Sequence, residues 1–424
     1  MKSKEAREFL TGLFDAAVKA ADPLSGIRAH LPSPPEGGKT VVIGAGKGSA
    51  QMAQALELLW PHPIEGTVVT RYGYGCATRN IEVLEAAHPV PDENGIKAAE
   101  RLLDRVAQLT EDDLVIALIC GGGSALLPAP PCGFTLQDEI HLNRVLLSSG
   151  APISAMNTVR KHFSRIKGGR LAAATKARIV SLVISDIPGD NPAFISSGPT
   201  IPDTTTREDA LQIIERYRIE LSPKIHDFIR SSEAVAPLPT DATFERDNHH
   251  IVASARVSLD AAAELSLSKG INAYILSDAM EGEARDVAGV HGAIANEIAT
   301  RGSPFLTPCV LLSGGETTVT IRNKGGKGGR NSEFALALAT WLNCHNIHSL
   351  IADTDGIDGS ENNAGAFVDG TTLRRMIENC IDIEDALSQH DTYTAFSSIN
   401  DLFVTGPTGT NVNDFRAILI LSHE

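Results

Sequence analysis

The sequence predicts an α/β protein of two domains, an N-terminal doubly wound, Rossmann-like parallel sheet and a C-terminal α/β domain with a mixed sheet. Three observations carry that expectation. Short β-branched apolar runs alternate with stretches of helical periodicity, the rhythm of repeated βαβ units. At 424 residues the chain is too long for one ordinary hydrophobic core. The rhythm also lapses from Ser231 to Asp247, where Pro, Ala, Thr and acidic residues replace it, and then restarts, so the domains are expected at 1–240 and 241–424.

The elements follow in order. Phe9, Leu10, Leu13, Phe14, Ala17 and Val18 recur at helical spacing over 4–21, and Asp22-Pro23 ends the pattern. A strand at 40–43, a helix at 50–59 and a strand at 67–70 form the first βαβ unit. Further units are expected at 96–109, 113–120, 137–149, 156–174 and 178–184. After the boundary come a strand at 250–254, a helix at 257–268, a strand at 272–276, a helix at 283–300 and strands at 309–312 and 349–351. Leu311 to Thr317 echoes Leu118 to Ser124, too briefly to be a repeat.

A formal net charge of -15 leaves no basic surface for nucleic acid or anionic membrane, so any anion site has to be a local positive island. The longest apolar run, Leu114 to Cys120, is far short of a membrane span, and the charged Met1-Lys2-Ser3-Lys4-Glu5 lacks the apolar stretch of a secretory signal. A cytoplasmic enzyme is the expectation. The six cysteines lack metal-ligand spacing and read as mostly buried thiols, with Cys120 and Cys309 inside apolar runs.

Glycine-rich turns directly after strands are where open α/β sheets bind ligands. Gly44, Gly46, Gly48 and Ser49 surround Lys47 in such a turn, suited to phosphate at a helix N-terminus. The turn fits neither standard nucleotide fingerprint: Val41 stands where a P-loop needs glycine, and Ser49 where a dinucleotide turn needs it. Gly121, Gly122, Gly123 and Ser124 form a second turn. Asn157, Arg160, Lys161 and Ser164 share a helical face in the densest basic segment, with Asn157 as its cap. Asp186 and Asp190 flank Pro188-Gly189 after a strand, placed for Mg²⁺ or for a hydroxyl proton, and Ser196 and Ser197 follow. Gly325 to Arg330 is a flexible basic loop before a helix that Asn331 or Ser332 would cap, and Asp353, Asp355 and Asp358 form an acidic turn that fails the EF-hand pattern.

Together these segments resemble the type-2 glycerate kinase family, whose members often bear the name hydroxypyruvate reductase and whose C-terminal part, about 305–420 here, is the MOFRL domain. The resemblance rests on Gly44 to Ser49, Cys120 to Ser124, Met156 to His162, Ser185 to Asp190, Ser197 to Thr200, Leu312 to Thr317, Gly328 to Glu333 and Asp353 to Gly359, in that order. It implies ATP- and Mg²⁺-dependent phosphorylation of D-glycerate at its 2-hydroxyl, in a cleft between the domains. Lys47 and Arg330 match the family's basic active-site positions and would contact the transferring phosphoryl group. Gly122, Gly123 and Ser124, or Asn157, Arg160 and Lys161, would hold the substrate. Asp186 or Asp190 would orient or deprotonate the acceptor, and Asp190, Asp353 or Asp355 would hold the metal. The nucleotide is expected at Gly44, Gly46, Gly48, Ser49, Gly314, Gly315, Glu316 and Lys327. A homodimer is the working expectation for assembly.

Two rival readings stay open. An NAD(P)H-dependent hydroxypyruvate reductase would use the Gly44 turn, with Arg71 facing a 2′-phosphate. A non-catalytic sugar-acid sensor would need the basic turns but not the acidic ones.

Overall fold

The computed structural model describes residues 3–321 and 326–422. The chain divides into two compact units, Pro23–Val252 and a second made of Met1–Asp22 with Ala253–Glu424. The partition differs from the 1–240 and 241–424 expected from the sequence, because the first helix joins the second unit.

In the Pro23–Val252 unit the strands are β1 (Thr40–Ala45), β2 (Glu65–Arg71), β3 (Ile81–Ala86), β4 (Leu114–Ile119), β5 (Arg178–Ile184) and β6 (Asn248–Ala253), in spatial order β3-β2-β1-β4-β5-β6. The pairings from β3 through β5 are parallel. Chain direction across the sheet reverses between β1 and β4, so the turns after those two strands flank the switch point where such sheets bind ligands. β1 and β4 are buried along their whole length, as strands covered on both faces must be, which is why they read as unbroken apolar runs. Val41, Ile43, Val115, Ile119 and Val183 form the centre of this core. A satellite core gathers Leu142, Val159, Phe163, Ile214 and Ile225, with the Phe134, Phe163 and Phe228 rings edge to face.

Two expectations fail here for stated reasons. The helix expected over 156–174 runs only Ile153–His162, since Phe163 leaves helical backbone at φ −119° and ψ 47°, and beyond it Gly168 and Gly169 adopt left-handed φ of 63° and 81°. Their amides are turned instead to the Ser197 and Gly198 carbonyls, at 2.9 and 2.7 Å. Its N-cap is Pro152, so Asn157 lies inside the helix and caps nothing, and Ser164 falls beyond its end.

In the second unit β7 (Asn272–Glu283), β8 (Cys309–Thr318), β9 (Ile347–Asp353), β10 (Gly365–Asp369), β11 (Leu402–Phe403) and β12 (Asp414–Ile420) form a sheet in the order β11-β10-β9-β12-β8-β7. β7 and β8 pair in parallel and the other pairs are antiparallel, so the sheet is mixed. Alternate residues face opposite cores. Leu311, Ile351 and Ile418 meet Phe334 and the helix Arg330–Trp341 on one side. Val310, Leu312, Leu350 and Leu419 meet the helices Ser3–Ala20 and Ala255–Ser268 on the other.

Only Cys120 and Cys309 of the six cysteines are buried; Cys76 and Cys344 are half-buried, and Cys132 and Cys380 are exposed. Among the described residues no helix is long and apolar enough to cross a membrane.

Candidate active site

In the Pro23–Val252 unit the turns after β1, β4 and β5 converge. The Lys47 amide donates to the Gly121 carbonyl at 2.8 Å, and the Gly48 amide to the Cys120 sulfur at 3.1 Å. Gly46 N–H bonds Val69 O and Ser49 N–H bonds Gly46 O, while the Ser49 hydroxyl reaches Val69 O at 2.7 Å. The four amides from Gly46 to Ser49 are therefore spent within the fold and do not form an open phosphate cradle. What the turn presents instead is the Lys47 ammonium, which takes no hydrogen bond or ion pair among the described residues.

Glycine is required around this lysine by space. A Cβ at Gly121 would lie 1.7 Å from an Asp186 carboxylate oxygen, and one at Gly123 would lie 2.4 Å from the Ser196 hydroxyl. One at Gly122, which sits at φ 85°, would lie 3.0 Å from the Lys47 side chain and 3.1 Å from His88 Nε2. Lys47, Asp186 and His88 thus meet over one glycine turn. Burial, then the Lys47 and Arg71 charges, hold the His88 pKa below its usual value, so the ring is neutral at neutral pH. Burial pushes the Cys120 thiol up to about 12, which leaves it an inert packing group.

Beneath the turn runs a hydroxyl chain. Ser196, Ser197 and Gly198 are all left-handed, with φ of 54°, 60° and 57°, a strain that aims both serine hydroxyls at the β4 turn. Ser196 donates to Cys120 O at 2.6 Å, and Ser197 pairs with Ser124 at 3.0 Å. The Asn157 side-chain oxygen accepts from Ser197 at 3.3 Å and from the Arg160 guanidinium at 3.0 Å, while Arg160 also bonds Asn143 at 2.8 Å. Arg160 and Asn157 therefore join the site. Lys161 does not offer its charge to it: the buried ammonium is held by Asp203 and by the Thr205 carbonyl at 2.6 Å. Asp190, at φ 51°, has a carboxylate without a hydrogen bond or ion pair among the described residues.

The second unit carries a separate cluster. Arg330 donates to Asp414 at 2.6 Å, to Asp353 at 2.7 Å and to Glu316 at 3.4 Å. Asp414 also accepts from Asn331 at 2.9 Å, from Thr317 and from the wholly buried Arg416. Burial alone would raise the Asp414 pKa, but the Arg416 and Arg330 guanidiniums hold it below the usual range. Burial raises that of Asp353, against the pull of Arg330. At the N-terminus of the helix Arg330–Trp341 the Ser332 hydroxyl accepts from the Gly329 amide at 3.0 Å, while the Asn331 side chain turns to Asp414. The Asp358 carboxylate accepts from the amides of Asn331 and Ser332, at 2.9 and 2.8 Å, so that helix end is already filled by an anion. Lys327 is anchored through its backbone to Asp391 and Tyr393, with its ammonium 3.7 Å from Glu361. Gly325 lies outside the described residues. Gly314 and Gly315 lie inside β8, and a Cβ on Gly315 would strike the Met280 backbone at 2.3 Å. Sequence reasoning missed Asp414, Arg416 and His88. The signal available for the first two was a pair of charges alternating within an apolar strand.

Asp353 gives one oxygen to Arg330 and the other to the Asp355 amide at 3.1 Å, and Asp355 accepts from Ile357 N–H at 2.8 Å. No group of three acidic, His or Cys side chains among the described residues is arranged to hold a metal. A Mg²⁺ held by one carboxylate and by phosphate oxygens fits Asp190 better than it fits the Arg330-paired Asp353.

Comparison with known proteins agrees with this architecture. Residues 9–230 match a family described as a domain of unknown function (DUF4147), and residues 309–414 match the MOFRL family. The chain is 50% identical over 98% of its length to an Agrobacterium vitis protein provisionally named a hydroxypyruvate reductase, 94% of which is covered. It is 40% identical over its full length to the glycerate 2-kinase of Pyrococcus horikoshii, 99% of which is covered. The crystal structure of the Thermotoga maritima glycerate kinase superposes with a TM-score of 0.88 at 36% identity, covering 99% of this chain and all of that one. With both domain models matched in order and full-length kinase relatives at this identity, the chain belongs to the glycerate 2-kinase family and is a kinase.

Proposed function

We propose that the chain transfers the terminal phosphoryl group of ATP to the 2-hydroxyl of D-glycerate. The observation that carries this reading is that the Lys47 side chain, whose ammonium has no partner among the described residues, and the Asp186 carboxylate both border the Gly121 to Gly123 turn, at the sheet's switch point. Phosphoryl transfer asks for positioning and charge neutralisation more than for covalent chemistry. Lys47 faces the negative charge of the transferring group. Asp186 takes the acceptor's hydroxyl proton. The Ser124, Ser197 and Asn157 chain orients Arg160 toward the substrate carboxylate. A Mg²⁺, when bound, would neutralise phosphate charge, and Asp190 would hold it. Arg330 is proposed as a second phosphate-facing cation: among the described residues its Nη1 meets only Glu316, whose side chain is 54% exposed.

The full-length relationship to glycerate 2-kinases supports the substrate. The reductase alternative requires a dinucleotide turn with a third glycine, where this chain has Ser49 and amides already bonded. Two assays on the purified chain separate them: ADP release with D-glycerate and Mg²⁺, and NADPH oxidation with hydroxypyruvate. The kinase reading expects the first alone, with ³¹P NMR of the product showing the 2-phosphate. NADPH oxidation without ADP release would sink it.

A further inference from the structure

The Pro23–Val252 unit carries an open groove of about 720 Å³ lined by the segment that follows β2 and by Val83, Leu84 and Glu85 of β3. Tyr72, Gly75, Ala77, Glu85 and Lys97 are among its lining residues, and its size is that of a ligand pocket. None of the groups assigned above lines it. We infer that this groove seats the nucleoside of an adenosine 5′-phosphate whose phosphates run toward Lys47. The inference rests on the kinase reading for the identity of its ligand.

Position comes first. In sheets of this strand order the phosphates lie at the turn after β1, and the nucleoside extends toward β2. Here Thr70, at the end of β2, donates to the Lys47 carbonyl at 2.9 Å, and Tyr72 stands two residues on. Arg71 lies between them with its guanidinium 3.8 Å from the Tyr74 ring centroid. The Arg71 and Lys47 charges both bear on His88, so cationic side chains stand on the Lys47 side of Tyr72.

The lining suits a nucleoside. Tyr72 is half-exposed, yet its hydroxyl is fixed, donating to Asp92 at 2.6 Å and accepting from Asn94 at 2.8 Å. A ring pinned by its hydroxyl with a face left open is a stacking platform for a base, and such stacking is tolerant of which base it meets. Glu85 accepts from the Gly73 and Gly75 amides through Oε1 alone, at 3.1 and 2.9 Å. Its Oε2 has no partner among the described residues, and it is a carboxylate placed for vicinal ribose hydroxyls.

The wall is also pre-formed. From the helix Ser49–Leu59, Gln51 donates to Tyr74 O at 3.0 Å and Gln54 to Ala77 O at 3.0 Å. One turn on, Glu57 accepts from the amides of Arg79, Asn80 and Ile81. The helix that carries the Lys47 turn at its start thus holds the groove wall along its side, so the two are positioned by one element and little ordering cost is left to binding.

Calorimetric titration of the full-length protein with ADP and with NADP⁺ tests this, using wild type, Tyr72→Leu and the groove-filling Ala77→Trp. Both positions are exposed, and thermal melts confirm that each variant folds. Each variant is expected to weaken ADP binding by about tenfold, while the KM for D-glycerate at saturating ATP moves less than twofold. ADP affinity within twofold of wild type in both variants, in an enzyme that phosphorylates D-glycerate, overturns the seat and leaves the kinase standing. NADP⁺ binding that is lost in both variants, with no ADP release by wild type, keeps the adenosine seat and overturns the kinase reading. Wild type that binds neither nucleotide overturns both.

Discussion

Two basic residues that look equivalent in the sequence differ at the scale of single side chains. Lys47 is tied by its backbone and left open at its ammonium, so Lys47→Ala removes a charge without breaking a structural bond. Its kcat is expected to fall at least a hundredfold, about 2.7 kcal/mol or more of transition-state stabilisation, with the melting temperature within a degree or two of wild type. Arg330 neutralises Asp353 and Asp414, whose side chains are 7% and 0% exposed. Arg330→Ala leaves the buried Asp353 carboxylate without its cation and Asp414 with Arg416 alone, and breaking a buried pair typically costs about 3–5 kcal/mol. That variant is expected to lose stability as well as activity, and chemical denaturation beside the kinetics reads both. A stable but inactive Arg330→Ala would show that the acid cluster does not depend on it.

Among elements, strands with a continuous apolar run and a glycine turn were legible, since a strand buried on both faces leaves that signature; β1, β4, β5 and β8 are of this kind. β12 was not, because Asp414 and Arg416 interrupt its apolar pattern and their partners lie far along the chain, Arg330 being 84 residues from Asp414. For the same reason the turn that carries Lys47 was legible as a site, whereas the carboxylate that holds Arg330 was not. Helix faces were misread where glycine set the geometry, as at Gly168-Gly169. A buried histidine in the helix Ala284–Arg301 gives an element-level prediction. His291 Nδ1–H donates to Val287 O at 2.8 Å, Nε2 accepts from the Ser313 hydroxyl at 2.8 Å, and Phe334 packs edge to face on the ring. Burial, then the nearby Arg416 charge, brings its pKa down to about 4, against 6.5 unfolded. The unfolded chain binds more protons between these values, so this contribution is complete above pH 6.5 and is lost as pH falls toward 4. A 2.5-unit difference amounts to about 3 kcal/mol. In urea titrations His291→Gln is expected to be less stable than wild type at pH 7, with the gap closing by pH 4.5. A gap constant across that range would mean the ring does not titrate as described.

For the molecule as a whole, the first helix belongs to the second unit through bonds that cross almost the full sequence. Ala6, Leu10, Leu13, Phe14 and Ala17 of Ser3–Ala20 are buried in the core under β8, β9 and β12. Phe14 meets Phe403 and Phe415 edge to face, at 5.0 and 5.7 Å. Arg7 pairs with Asp401, Ser258 donates to Ala17 O at 2.9 Å, and Thr410 donates to Ala21 O at 2.8 Å. Without the helix, the face of the mixed sheet over β9 and β12 would lose its cover and expose Leu350 and Leu419, leaving Ala255–Ser268 over β7 and β8 alone. Phe14→Ala is expected to cost the second unit about 3–5 kcal/mol, and deletion of residues 1–22 to unfold it. The Pro23–Val252 unit keeps its own core, which contains none of those residues. Hydrogen exchange on the deletion variant should therefore show protection lost in β8, β9 and β12 and retained in β1, β4 and β5. Protection retained in β12 would mean that the sheet closes its face without the helix, and that the two segments of the second unit fold independently.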